Sequence, residues 1–68
     1  MPFKVVMREM AASGLLGEPV DLSSPLSLTE ANVELAKHIE GRGARPTSEG
    51  WRCDEPDGSK CVISLERC

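Results

Sequence analysis

The chain of 68 residues is long enough for one domain with a single modest core, which we expect to supply only about 3–5 kcal/mol of net stability. Eight basic and eleven acidic residues give a net charge of −3, and the spread of the basic residues along the sequence disfavours a phosphate-binding face. Phe3 and Trp51 are the only aromatic residues, so a base-stacking platform for nucleic acid is also disfavoured.

No apolar run approaches the roughly 20 residues that cross a bilayer. Lys4, Arg8 and Glu9 interrupt the N-terminal apolar stretch, which is therefore not typical of a secretory signal. Three cysteines are an odd number and fit poorly with the closed disulfide framework of a small secreted protein. We therefore expect a cytoplasmic protein without a membrane partner, in which the cysteines are thiols.

Two strands are predicted before the first strong helix signal. Phe3, Val5 and Met7 recur at every second position, and this period of two predicts a strand with one buried face. A short strand is expected around Val20. Because Pro19 beside it has no N–H to donate, that strand should lie at an edge of the sheet.

The clearest local signal is a helix start at Ser27. Ser27 and Glu30 have the spacing of a capping box, in which the serine hydroxyl accepts from the Glu30 N–H and the glutamate side chain reaches back. The sequence predicts a helix over residues 28–40, ended by Gly41 or Gly43. Its apolar positions fall on one side of the helix: Leu28, Ala31, Leu35, Ala36 and Ile39.

The last segment predicts a hairpin, after a loop over residues 42–50. Residues 55–59 match a type I turn closed by a glycine bulge, because Pro56 and Asp57 suit the two turn positions and Gly58 takes a positive φ. This turn sets the pairs Asp54–Lys60, Cys53–Cys61, Arg52–Val62 and Trp51–Ile63. A two-residue Asp-Gly turn would instead pair Cys53 with Val62 and mix apolar and polar faces.

The hairpin register places Cys53 and Cys61 side by side on the core face. Two buried thiols are the expected state, with a cross-strand disulfide as the alternative. Three cysteines and His38 are ligand types that zinc accepts, but the sequence has no Cys-x-x-Cys pair. We therefore predict no metal site, and Cys68 is expected to be an exposed thiol.

The expected fold is α+β with two layers, formed by one domain over residues 1–68. One helix should pack on a short antiparallel sheet of three or four strands that includes the C-terminal hairpin. Leu28, Leu35 and Ile39 of the helix should cover the apolar face of that sheet. The sheet residues of this core are Phe3, Val5, Met7, Trp51, Ile63 and Leu65.

The favoured function is a non-catalytic module that acts through contact with another protein. No nucleophile–base pair, phosphate loop or dinucleotide motif is present, so no catalytic, cofactor-binding or metal-binding residues are predicted. Small acidic proteins with one helix and one sheet include mobile-element-encoded inhibitors of host defence, an analogy at the level of fold. A homodimer through an uncovered sheet edge is a further expectation.

Two alternative functions follow from particular residues. The hairpin and the Arg42–Arg45 loop could contact a nucleic acid. Met1-Pro2 at the head of a strand resembles the start of the tautomerase superfamily, whose members use the freed N-terminal proline as a general base. The resemblance covers Pro2, the following strand and the chain length, and it implies that Pro2 would act on a keto–enol substrate. That family places its helix soon after the first strand, whereas about twenty residues intervene here.

Overall fold

The computed structural model describes residues 2–68, which form one helix and five strands. All strand pairs are antiparallel, and the spatial order is β2-β1-β5-β4-β3, so the two longest strands occupy adjacent inner positions. The α+β prediction is confirmed. In chain order the elements are β1 (Phe3–Met10), β2 (Val20–Asp21), α1 (Leu28–Ile39), β3 (Arg45–Thr47), β4 (Gly50–Asp54) and β5 (Lys60–Arg67).

The predicted number of strands, three or four, is wrong, because the sheet has five. The additional strand is β3, which lies in the segment predicted as a loop and pairs with β4 through a tight turn. Pro46 in its middle has no N–H, which an edge strand tolerates. The predicted strand near Val20 is confirmed as β2, paired with β1.

The segment between β1 and α1 runs along the outer edge of β1. Phe3 and Leu26 exchange two backbone hydrogen bonds of 2.8 and 2.7 Å. The Leu22 N–H donates to the Val5 carbonyl, and the Gly17 N–H donates to the Glu9 carbonyl, both at 2.8 Å. At the opposite edge, β3 has only three residues. The outer edge of β1 is therefore covered by this segment, and β3 offers few backbone groups for pairing with a second copy of the chain.

Helix α1 begins as the capping pattern predicts. The Ser27 hydroxyl accepts from the Glu30 N–H at 3.3 Å and donates to the Glu30 carboxylate at 2.9 Å. The helix ends at Ile39, one residue before the predicted end, and Gly41 follows with a φ of +82°. Within residues 2–68, no helix is long and apolar enough to cross a membrane.

The main core lies between α1 and the central strands. Leu35 and Ile39 pack against its buried residues, as predicted. Leu28 was predicted to pack there too, but it lies in the first helical turn and is 50% exposed. Trp51 is only half-buried, because α1 packs over β1 and β5 rather than over β4. The buried members of this cluster are Val5, Cys53, Cys61 and Ile63.

The C-terminal hairpin has the predicted register in all four pairs. Gly58 has a φ of +92°, its N–H donates to the Glu55 carbonyl at 3.0 Å, and the Glu55 N–H donates to the Ser59 carbonyl at 2.7 Å. These bonds are those of a type I turn with a glycine bulge.

The sheet face away from α1 also buries two apolar side chains, although it was predicted to be polar along the hairpin. Val6 and Val62 are at most 2% exposed. Val6 lies between Asp21 of β2 and Ser64 of β5 in the register. Two ion pairs bracket this position along the strands, namely Lys4–Asp21 at 3.1 Å and Arg8–Glu66 at 2.9 Å. The apolar stems of such charged side chains cover neighbouring hydrophobic surface.

Candidate functional site

The basic side chains divide into two groups. Four of them form ion pairs with carboxylates: Lys4 with Asp21, Arg8 with Glu66, Lys37 with Glu34, and Arg42 with Glu55. Among residues 2–68, no carboxylate lies within ion-pair distance of Arg45, Arg52, Lys60 or Arg67. Unpaired cations remain available to a partner without the cost of breaking an internal ion pair.

Three of the four unpaired cations gather on the sheet face away from α1. Arg45 of β3 lies directly opposite Arg52 of β4. Lys60 of β5 lies opposite Asp54, two positions along β4 from Arg52, and therefore on the same face. All three side chains are exposed and line one groove of about 350 Å³. We call Arg45, Arg52 and Lys60 the cationic face.

The arrangement of the cationic face favours an anion. Like charges directly opposite each other on neighbouring strands repel, so the Arg45–Arg52 pair is unfavourable in the isolated protein. Asp54 shares the groove but forms no ion pair there within the part of the chain described. A carboxylate or phosphate between the two guanidinium groups would relieve the repulsion and accept charge-assisted hydrogen bonds.

The turn between β3 and β4 holds the two arginines in register. The Thr47 hydroxyl donates to the Gly50 carbonyl at 2.7 Å. Gly50 has a φ of +137°, and a Cβ at this position would lie 2.8 Å from the Ile63 carbonyl oxygen and from Ser64 Cβ. Glycine is therefore required at the start of β4, where a side chain would collide with β5.

A second cluster lies on the other side of the sheet, around the two buried cysteines. Cys53 Sγ and Cys61 Sγ are 3.4 Å apart. The Cys61 thiol donates to Glu55 Oε1 at 3.1 Å, and Arg42 Nη1 donates to the same oxygen at 3.0 Å. Cys61 lines a groove of about 470 Å³ together with Met7, Glu9, Arg42, Glu55, Pro56, Asp57, Ser59 and Lys60.

The Cys61 thiol is held in its protonated form. Its pKa is raised from the ordinary 9.0 to about 12, chiefly by burial and then by the hydrogen bonds with Glu55 and Cys53. Because the thiolate is the nucleophile, Cys61 reacts slowly at neutral pH. The raised pKa therefore opposes activation of the Cys61 thiol as a nucleophile.

The structure separates several residues that the sequence analysis had grouped. Arg42 lies against Glu55 in the cysteine groove, whereas Arg45 lines the groove of the cationic face. His38 lies half-buried on α1, and Cys68 is exposed. Within residues 2–68, no group of three or more histidine, cysteine or acidic side chains could hold a metal ion.

Pro2 is exposed beside a shallow groove of about 780 Å³. The other residues that line this groove include no basic side chain: Phe3, Pro25, Leu26, Ser27, Leu28 and Glu30. The Pro2 carbonyl accepts a hydrogen bond from the Cys68 N–H at 3.1 Å. Among residues 2–68, the groove therefore offers no basic side chain to hold a substrate carboxylate close to Pro2.

Sequence reasoning missed the combination of Arg45, Arg52 and Lys60. The signal for Arg52 and Lys60 was present in the correct hairpin register, which places both on the same face. Arg45 joins them only through the β3–β4 pairing, in the segment predicted as a loop.

Comparisons with protein-family models, curated proteins and solved structures found no match.

Proposed function

We propose that this chain is a small non-catalytic binding module that recognises an acidic segment of another protein through the cationic face. The observation that carries the proposal is the meeting of three unpaired cations on one exposed sheet face of a chain whose net charge is −3. Elsewhere, four basic side chains are matched with carboxylates. Within the described residues Arg67 is also unpaired, but only on the cationic face do unpaired cations gather, and there they are available to an external anion.

An acidic protein segment suits this surface better than a nucleic acid does. Three cations neutralise a short run of carboxylates, whereas nucleic-acid modules present larger basic surfaces and commonly stack bases on aromatic side chains. The two aromatic residues, Trp51 and Phe3, lie on the opposite side of the sheet from the cationic face. The overall negative charge of the chain also opposes a long polyanion.

The test compares binding of a labelled glutamate-rich peptide and of an oligonucleotide with the same net charge, by fluorescence anisotropy at low and at physiological salt. The proposal expects the peptide to bind more tightly. Arg52→Gln should weaken peptide binding about tenfold, because a hydrogen bond to a charged group contributes about 1.5–3 kcal/mol. Arg67→Gln is the matched control, since Arg67 is also exposed and unpaired but lies outside the cationic face.

Three outcomes decide the question. A tenfold loss for Arg52→Gln with a less than twofold loss for Arg67→Gln supports the cationic face as the binding site. Equal losses for the two variants would show that only the net charge matters, and the proposal would fail. Tighter binding of the oligonucleotide, with a steep dependence on salt, would favour the nucleic-acid alternative instead.

A further inference from the structure

Cys53 and Cys61 lie close enough together for a disulfide to join them. They face each other across β4 and β5, and their sulfur atoms are 3.4 Å apart. Along an antiparallel hairpin, hydrogen-bonded residue pairs alternate with pairs that are not hydrogen-bonded. Because Glu55–Ser59 is hydrogen-bonded, Cys53–Cys61, two positions along, is hydrogen-bonded too. Such pairs have Cα atoms about 5.5 Å apart, within the disulfide range of roughly 4.4–6.8 Å.

Both cysteines are buried, with Cys53 2% and Cys61 1% exposed, but only one of them lines a groove. Cys61 lines the groove of about 470 Å³, and Cys53 is not among the residues that line it. A cavity of this size accommodates a small organic molecule. The groove carries two cations, Arg42 and Lys60, and the carboxylates of Glu9, Glu55 and Asp57. This mixture of charges suits a zwitterionic ligand, such as a peptide disulfide of the glutathione type.

We propose that Cys53 and Cys61 form a reversible oxidation site that exchanges with a low-molecular-weight disulfide, with Cys61 reacting first. In the first step the Cys61 thiolate attacks one sulfur of the small disulfide. A bond forms between Cys61 and that sulfur, the original disulfide bond breaks, and the leaving thiolate takes up the proton that Cys61 released to solvent.

In the second step Cys53, already in contact, attacks the Cys61 sulfur of the mixed disulfide. The Cys53–Cys61 bond forms, and the second small thiol leaves with the proton from Cys53. Overall, two protein thiols are oxidised and one small disulfide is reduced to two thiols, so atoms and electrons balance. The reverse reaction with an excess of the small thiol restores both cysteines.

Glu55 sets how readily this site is oxidised. Its carboxylate accepts the Cys61 S–H at 3.1 Å, which stabilises the thiol and opposes a negative charge on the sulfur. Arg42 holds the same oxygen in place at 3.0 Å. With the pKa of Cys61 raised to about 12, the thiolate is scarce at neutral pH. The oxidation rate should therefore rise about tenfold per pH unit between pH 7 and 10.

The primary test uses a Cys68→Ser chain, which removes the exposed third thiol and leaves the site intact. The folded protein is equilibrated with mixtures of reduced and oxidised glutathione, quenched with acid and analysed by mass spectrometry and peptide mapping. The expected product has lost two hydrogen atoms and links Cys53 to Cys61, with an unchanged far-ultraviolet circular dichroism spectrum. Two free thiols after equilibration with excess oxidised glutathione, or a disulfide that forms only with added denaturant, would overturn the proposal.

Two variants in the same background test the order of reaction and the role of Glu55. Cys53→Ser should accumulate glutathione on Cys61, and an unmodified Cys61 would contradict the order proposed. Glu55→Gln should speed oxidation about tenfold, because loss of the carboxylate lowers the thiol pKa and increases the thiolate fraction. Glu9→Gln is the matched control, because Glu9 lines the same groove opposite Cys61. Equal rates for both glutamine variants would remove Glu55 from the proposal.

Discussion

Gly50 is the position where one added methyl group should do most damage to the sheet. Its φ of +137° is a conformation that residues with a Cβ rarely adopt. A Cβ would also lie 2.8 Å from the Ile63 carbonyl oxygen and from Ser64 Cβ, and 3.2 Å from Val62 Cγ1. The carbonyl belongs to the central strand β5, so it cannot move away without disturbing the β4–β5 pairing.

The expected cost of Gly50→Ala combines two terms. A residue held in a sparsely populated backbone conformation costs about 1–3 kcal/mol, and overpacking adds about 1–3 kcal/mol. Their sum of about 2–6 kcal/mol is comparable with the roughly 3–5 kcal/mol expected for a core of this size. Gly58→Ala is the matched control, because Gly58 has a φ of +92° but no atom within 4 Å of the added Cβ. Gly58→Ala should therefore incur only the cost of the unfavourable backbone conformation.

Urea unfolding followed by circular dichroism and Trp51 fluorescence measures both variants. Gly50→Ala should lower the free energy of unfolding by about 1–3 kcal/mol more than Gly58→Ala does, with an unchanged dependence on urea. If Gly50→Ala is already unfolded without urea while Gly58→Ala is folded, the larger loss of stability at Gly50 is also supported. Losses that agree within about 0.5 kcal/mol would refute the close-approach argument.

Three further predictions concern the helix and the buried thiol. Ser27→Ala should lower the free energy of unfolding by about 1 kcal/mol in urea titrations, whereas Ser27→Asp should retain the cap. Leu35→Ala should cost about 2–3 kcal/mol and Val33→Ala, at an exposed position, less than about 0.5 kcal/mol in the same assay. Folding raises the pKa of Cys61 from 9.0 to about 12, so the unfolded chain loses this proton at a lower pH than the folded chain does. The free energy of unfolding should therefore fall from pH 9 to 12. Urea titrations of Cys61→Ala should show a flatter pH dependence.

Local signals were sufficient for the helix and the hairpin. Ser27 and Glu30, only three residues apart, cap the first turn of α1 through their mutual hydrogen bonds. Pro56, Asp57 and Gly58 determine the turn type, and the turn type determines the register of every later pair. In both elements the deciding interactions lie close together in sequence, which is why the pattern predicted them.

The missed features depend on contacts between distant segments. β3 has three residues with a proline in the middle, so its own sequence resembles a loop, and it becomes a strand only by pairing with β4. Val6 is buried on the side that alternation assigns to solvent, because β2 and the ion pairs lie beside it. The cationic face was missed for the same reason, since Arg45 reaches Arg52 only through that pairing. No catalytic site was predicted, and this expectation stays a prediction.

Two residues of the proposed sites, Arg52 and Cys53, can be tested separately, although Lys60 lines both grooves. Arg52 and Cys53 are consecutive residues of β4, so their side chains point to opposite faces of the sheet. Arg52→Gln should therefore leave the rate of thiol oxidation unchanged within about twofold, since independent sites act additively. Conversely, the oxidised protein should bind the acidic peptide with the Kd of the reduced protein. The register already pairs β4 with β5, so we expect a disulfide within it to move neither Arg52 nor its neighbour Arg45. A change of tenfold or more in peptide affinity on oxidation would show that the bond alters the twist of the hairpin, and the two faces would then have to be treated as one coupled site.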